Sequence, residues 1–258
     1  MNGLDLFAGS GIGSLALKNI IPNYKTVCYV EWEPYCQAIL ISRIKDGFLD
    51  DAPIWDDVRT FDGKQWGGKV DIVYGGFPCQ PFSQAGQRQG ESDERNCWPD
   101  TIRIISEIRP RFAFVENVPG LLVSGYIPTI LSDFAKIGYD VEWDCVPAAF
   151  VGAPIIRSRL WFMAISQGLR PFYVRLQVNG KERSRGKEAI RGGNREISPN
   201  RKAGNPISNN QWAHPPEPIG VVDGLANQLE RLKMLGNGWV PQVVKRILSV
   251  SGSSHESS

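Results

Sequence analysis

The chain is poor in the residues on which many enzymes depend. Among its 258 residues there are only two histidines, His214 in a proline-rich stretch and His255 in a serine-rich end. A histidine-based triad or a histidine-rich metal site is therefore nearly excluded. The five cysteines, Cys28, Cys36, Cys79, Cys97 and Cys145, are odd in number and widely spaced, with no C-x-x-C pair. That pattern argues against a disulfide framework and against zinc, so no metal site is expected. No apolar run approaches the ~18 residues needed to span a bilayer. The start, MNGLDLFAGSG, has neither a basic n-region nor a cleavage pattern, so a cytoplasmic protein is expected. Excess charge is also missing, because the net value is only +2. Catalysis must rest on cysteine, carboxylates or arginines.

What charge there is lies unevenly. Between Arg157 and Lys202 stand twelve Arg and Lys against three Glu. An isolated run of this kind is ordinarily a solvated loop. Beside a nucleotide-handling core it points instead to phosphate contact.

The first 165 residues alternate short apolar runs with helical patterns. Strands are expected at Gly3–Phe7, Thr26–Val30, Val70–Tyr74, Phe112–Val115, Val141–Val146 and Leu160–Ile165. Helices are expected at Gly13–Ile20, Tyr35–Ile44, Ile102–Ile108, Ile127–Ile137 and Val240–Val250, with helical character also over Asp223–Leu235. This alternation predicts an α/β fold with a largely parallel sheet covered on both faces. From about Ser166 to Val222 the composition turns to Arg, Gly, Asn and Pro, which reads as an insert with little core of its own. The expected organisation is a catalytic domain over 1–165 plus 223–250, an insert over 166–222, and a disordered tail over 251–258.

Four motifs carry chemistry. The first strand runs into Phe7-Ala8-Gly9-Ser10-Gly11 and then a helix. Glycines there allow close backbone approach to a ligand, and the helix start offers free N–H groups. Glu31 ends the second strand, where an acid commonly takes ribose hydroxyls. Ser14 occupies the third glycine position of a dinucleotide fingerprint, which argues against a nicotinamide enzyme. Next, Gly75-Gly76-Phe77-Pro78-Cys79-Gln80 places a thiol in a loop at a strand's carboxyl end, the ligand-binding edge of an open α/β sheet. Most cysteines are small buried hydrophobes, but flanking prolines argue against simple core packing here. Glu116, in Glu116-Asn117-Val118, directly follows an apolar strand, where a carboxylate either caps the next helix or faces the site. Finally, Arg157 and Arg159 in R-x-R-L sit at alternate positions and share one face.

In this order, DLFAGSG, GGFPCQPFS, ENV, R-x-R-L and LGNGWVPQ resemble the cytosine-5 DNA methyltransferase family in its bacterial or phage form. The motifs span Leu4 to Gln242. The resemblance implies a Rossmann-like methyltransferase fold, S-adenosylmethionine as cofactor, and double-stranded DNA as substrate with its cytosine flipped out. Cys79 would be the nucleophile and Glu116 the group that engages cytosine nitrogen 3. Arg159, supported by Arg157, would hold the cytosine carbonyl and a phosphate. Phe7, Gly9, Gly11 and Pro78 would bound the cofactor, with Glu31 on its ribose, Trp32 on its adenine, and Asp57 and Val58 at the adenine edge. Asn237 would tie the last helix to the catalytic loop and cofactor pocket. Residues 166–222 would be the target-recognition region. Being short and basic, it implies a target of about two to four base pairs, since each good bidentate contact yields only ~1–3 kcal/mol of discrimination.

The resemblance further implies a monomer working in DNA methylation, with a cognate restriction endonuclease as partner in a restriction-modification system. An orphan or phage role fits equally. The alternative is an RNA (tRNA) cytosine-5 methyltransferase of the same family, whose own signature is missing from the insert. Two departures stand out. Ile155 replaces a common glutamine, and Trp98 stands where a smaller residue often lines the cofactor pocket. Neither touches Cys79 or Glu116, so an active enzyme is expected.

Overall fold

The computed structural model describes residues 1–78, 96–153, 155, 157–167 and 238–249. The strands are β1 (Asn2–Leu6), β2 (Lys25–Val30), β3 (Ile54–Trp55), β4 (Ile72–Gly76), β5 (Phe112–Asn117), β6 (Tyr139–Pro147) and β7 (Ser158–Ser166). The helices are α1 (Ile12–Ile20), α2 (Pro34–Lys45), α3 (Trp98–Ile108), α4 (Ile127–Lys136) and α5 (Pro241–Ser249). The seven strands form one sheet in the order β3-β2-β1-β4-β5-β7-β6. The expected α/β fold is present, and the apolar runs became strands nearly where they were read. The short β3 carries too few residues to show a period.

The pairs β1–β2, β2–β3, β1–β4 and β4–β5 are parallel, whereas β7 runs antiparallel to both β5 and β6. The chain leaves β1 in one direction for β2 and β3, then returns to pair β4 on the other side of β1. The strand order thus reverses between β1 and β4, where open α/β sheets place their ligands, beyond the carboxyl ends.

Alternating side chains supply two cores. Leu4, Leu6, Val73 and Val115 point to the face covered by α3 and α4, against Ile104, Ile105, Ile108, Ile130 and Phe134. Ile72, Tyr74, Phe114 and Trp161 point to the other face, against Ala16 and Leu17 of α1 and Val243, Val244 and Ile247 of α5. The last helix is thereby pinned beside the first.

Where β1 and β4 touch, the backbones approach so closely that only glycine fits. A Cβ on Gly75 would lie 2.0 Å from the Leu6 carbonyl oxygen. Gly75→Ala must therefore push the two central strands apart, and we expect a loss of roughly 1–3 kcal/mol or more, the usual cost of overpacking. Chemical denaturation checks this, and an unchanged midpoint would contradict the described register.

Candidate active site

The parallel register aligns four strand ends. Leu6 pairs with both Val30 and Gly75, and Gly76 pairs with Glu116. Glu31, Phe7, Gly76 and Glu116 therefore stand along one edge of the sheet. Because β7 is antiparallel, with Trp161 opposite Glu116, its first residues reach the same edge and bring Arg157 and Arg159 with them.

One half of this edge is a turn built to meet a ligand. Phe7 (φ 55), Gly9 (φ 55) and Gly11 (φ 76) all adopt left-handed backbone. For a bulky residue such as Phe7 that conformation costs on the order of 1–3 kcal/mol and tends to occur at functional sites. The Gly9 N–H donates to Glu31 Oε2 at 2.6 Å, and the Glu33 N–H donates to Oε1 at 2.8 Å. Each carboxylate oxygen accepts one backbone bond and keeps a lone pair for another donor. Burial pushes the Glu31 carboxyl above its ordinary range, opposed by these backbone bonds. Ser10 is buried in the turn, and its Oγ has no hydrogen-bond partner among the described residues.

Trp32, next in the chain, is 63% exposed. The Arg59 guanidinium lies 5.0 Å from the centre of its ring. Arg59 also grips Asp57 through both carboxylate oxygens, at 2.8–3.1 Å, which holds the Asp57 carboxyl below its ordinary range. Trp32 and Asp57, both implied by the resemblance, are thus joined through Arg59. Val58 is buried in the core under α3, which leaves its backbone as the part able to meet a ligand.

The other half of the edge centres on Glu116. Its carboxyl is buried at the end of β5, with Oε1 2.7 Å from Arg159 Nε. The contact is a close ion pair between the carboxylate and the guanidinium. Burial raises the Glu116 carboxyl from its ordinary range to about 7, and Arg159 and then Arg157 oppose that rise. A carboxyl poised near neutrality is suited to giving and taking a proton. Arg157 donates through Nη2 to the Gly238 carbonyl, which couples the start of β7 to the turn before α5. Glu116, Arg157, Arg159, Trp161 and Trp239 line one small cavity, so the two arginines do share a site.

Three contributors were not legible as such in the sequence. Gly76 must lack a side chain, because a Cβ there would lie 2.5 Å from Glu116 Oε2. Asn117 donates through Nδ2 to the Phe77 carbonyl at 3.1 Å, holding the stem that leads into Pro78. Trp239 packs against Tyr74, Phe114 and Trp161, with ring centres 5.0–5.8 Å away. Its place directly after Gly-Asn-Gly was the available signal.

Cys79 and Asn237 lie outside the described residues, as do nearly all of 166–222 and the tail 251–258. Pro78, just before Cys79, is partly buried. Of the two departures, Ile155 is exposed and Trp98 is not. The Trp98 side chain is fully buried between Phe77 and Phe134 and donates through Nε1 to Asp133 at 3.0 Å. It is a core residue there, because α3 begins at Trp98 and turns the indole under the sheet.

Residues 1–215 match the family model of C-5 cytosine-specific DNA methylases. The chain is similar to the Type II methyltransferase M.NgoMIV of Neisseria gonorrhoeae, with 34% identity over 187 residues, covering 69% of this chain and 56% of that protein. It is also similar to the orphan methyltransferase M.SPRI of Bacillus phage SPR, with 29% identity, covering 64% of this chain and 38% of that protein. The chain spans about half the length of the curated relatives it matches. Among solved structures, Dnmt2 of Spodoptera frugiperda, as a triple-alanine mutant, superposes with a TM-score of 0.56 at 21% identity. That match covers 67% of this chain and 53% of the other, and it concerns the fold alone.

Proposed function

The chain belongs to the C-5 cytosine-specific DNA methylase family, and from that premise we propose that it methylates carbon 5 of cytosine in double-stranded DNA. The observation that carries this reading is the buried Glu116 carboxyl, raised to about 7 beside Arg159, at the strand end next to the stem of the Cys79 loop.

The residues at the first half of the edge fit S-adenosylmethionine. The unpartnered Ser10 Oγ and the half-satisfied Glu31 carboxylate both ask for a polar ligand. Exposed Trp32 offers an aromatic face to a purine. When bound, the cofactor supplies an electrophilic methyl group. In this reading Phe7, Gly9, Gly11 and Pro78 bound it, Glu31 takes the ribose hydroxyls, Trp32 packs on the adenine, and Asp57 with the Val58 backbone meets the adenine edge. Asn237 ties the turn before α5 to the catalytic loop.

Carbon 5 of cytosine is a weak nucleophile. Cys79, as thiolate, adds to carbon 6 and drives electron density onto carbon 5, which a thiol can do and then leave again. Protonated Glu116 donates at nitrogen 3, so negative charge does not build up in the ring, and it recovers that proton when Cys79 departs. Arg159, with Arg157 behind it, holds the cytosine carbonyl and a phosphate. The carbon 5 proton leaves to water as the carbon 6–sulfur bond breaks. A stacked base cannot reach this buried carboxyl, so the cytosine must swing out of the duplex.

Residues 166–222 are proposed as the target-recognition region, mounted on a catalytic core of 1–165 and 223–250. The chain is proposed to act as a monomer in the cytoplasm, either beside a cognate restriction endonuclease or in an orphan or phage role. No helix among the described residues is long and apolar enough to cross a membrane.

Bisulfite conversion sequencing of plasmid DNA from a host expressing the chain tests the function directly. Protected cytosines should fall within one short motif, about two to four base pairs long from the energy available per contact. Fully converted DNA beside folded protein would refute DNA methylation, and protection of tRNA alone would transfer the reading to RNA. A target of six or more fixed bases would refute the expectation drawn from the insert.

A further inference from the structure

We infer that Arg103 is a positioning residue for the adenosine end of the cofactor site. It acts by stapling the turn that follows Asp57. The inference rests on the proposed reading of Asp57, Val58 and Trp32 as cofactor contacts.

Arg103 lies on α3. Its Nη1 donates to the Phe61 carbonyl at 2.9 Å. Its Nη2 donates to the Val58 carbonyl at 2.9 Å and to the Arg59 carbonyl at 3.3 Å. Three carbonyl oxygens from four consecutive residues therefore converge on one guanidinium. The same group is aimed by its own helix, with Asp100 Oδ1 at 3.3 Å and Glu107 Oε2 at 3.2 Å. Glu107 is fixed in turn, since its Oε2 accepts the Gly63 N–H at 2.9 Å. The turn from Val58 to Gly63 is thus gripped from α3 at both ends.

Within the turn, the Arg59 N–H donates to Asp57 Oδ1 at 3.0 Å, and Trp55 Nε1 donates to Thr60 Oγ1 at 3.0 Å. Asp57 O accepts from the Thr60 N–H at 3.1 Å and from Thr60 Oγ1 at 3.0 Å. The Val58 and Phe61 side chains are anchored in the core, and the staple fixes the course of the backbone segment between them. That segment carries Arg59, which fastens Asp57 and covers one face of Trp32. A shift there would move the acid and the cation together. Only a planar fork with several N–H donors can serve three carbonyls at once. A lysine ammonium is a compact charge that can keep the ion pairs with Asp100 and Glu107 but cannot span the turn.

The test measures binding of S-adenosylmethionine and of S-adenosylhomocysteine by calorimetry, using the full chain as wild type, Arg103→Lys and Arg103→Met. Binding to a fluorescent DNA duplex, thermal denaturation and the KM–kcat split are followed in parallel. Arg103→Lys guards against a variant that fails to fold, because it retains the charge. Both substitutions should weaken cofactor binding by about tenfold, the weight of one charge-assisted hydrogen bond. KM for the cofactor should rise in step, while kcat at saturation and DNA affinity stay near wild type. Wild-type cofactor affinity in either folded variant, even with a lowered melting temperature, would overturn the inference and leave Arg103 as a plain helix anchor. A wild-type protein that binds neither compound would overturn the cofactor reading itself, which separates the two failures.

Discussion

Cys79→Ala should abolish methyl transfer while leaving the fold and cofactor binding intact. The proposed chemistry has no route to a reactive carbon 5 without addition at carbon 6, so the loss should reach roughly 10⁴-fold or more, as expected when a covalent nucleophile is deleted. No described thiol is a ready substitute. Burial pushes Cys28 up to about 12 and Cys36 up to about 11, and it raises Cys97 and Cys145 as well. At neutral pH these four are overwhelmingly protonated and poorly nucleophilic. DNA carrying 5-fluorocytosine offers a direct readout, because its carbon 5 substituent cannot leave as a proton and the adduct persists. The wild type should give a band resistant to denaturation, with the modified peptide containing Cys79. The alanine variant should give none. An adduct mapped to another cysteine, or full activity in the variant, would falsify the mechanism.

Glu116→Gln should lower the rate by about 10²–10⁴-fold, the usual contribution of a positioned general acid, and should also change the shape of the pH profile. The amide can donate a hydrogen bond at nitrogen 3 but cannot transfer a proton. In the wild type the useful form is the protonated carboxyl, which burial maintains up to about pH 7. Its contribution to the rate should fall as pH rises through that value, and Glu116→Gln should lose this alkaline limb. Stability follows the same sign. A carboxyl whose folded pKa is raised favours the folded state fully below its ordinary value of 4.5, and that contribution is lost as pH rises through about 7. Asp5, buried against Ser14 and Tyr74, is likewise raised to about 7 by desolvation and adds a loss of the same sign. The wild type should therefore melt lower at pH 8.5 than at pH 6, and Glu116→Gln should remove part of that slope. An unaltered slope in the variant would show that Glu116 does not titrate in this window.

The elements that were read well are those whose residues form a local pattern. Strands β1, β4 and β5 are short apolar runs closed by Gly-Gly, by Asn or by a glycine turn, and α4 repeats its apolar residues at helical spacing. Period and punctuation are properties of neighbouring residues, so they survive in one dimension. The helical pattern places the start of α3 at Ile102, four residues late, because the segment before it contains Trp98, Pro99 and Asp100, which lack the helical stripe. Nor does the local pattern say how the Trp98 indole packs, because that depends on which way the first helical turn faces; the structure buries it between Phe77 and Phe134.

The sequence by itself determined the alternation of strand and helix, the order of the five motifs, the family resemblance and the basic composition between Arg157 and Lys202. It also placed the candidate acids and arginines at strand ends, since a residue's position after an apolar run is local information. Only the tertiary structure decided that β7 turns back against β5, and hence that Arg159 meets Glu116 from 43 positions further along the chain. The antiparallel step depends on how a connection crosses the sheet, which no periodicity records. The rise of Glu116 to about 7, the grip of Arg59 on Asp57 and the three carbonyls held by Arg103 arise in the same way. Proton affinity and hydrogen-bond partners are set by what surrounds a group in space, and those surroundings exist only once the chain has folded.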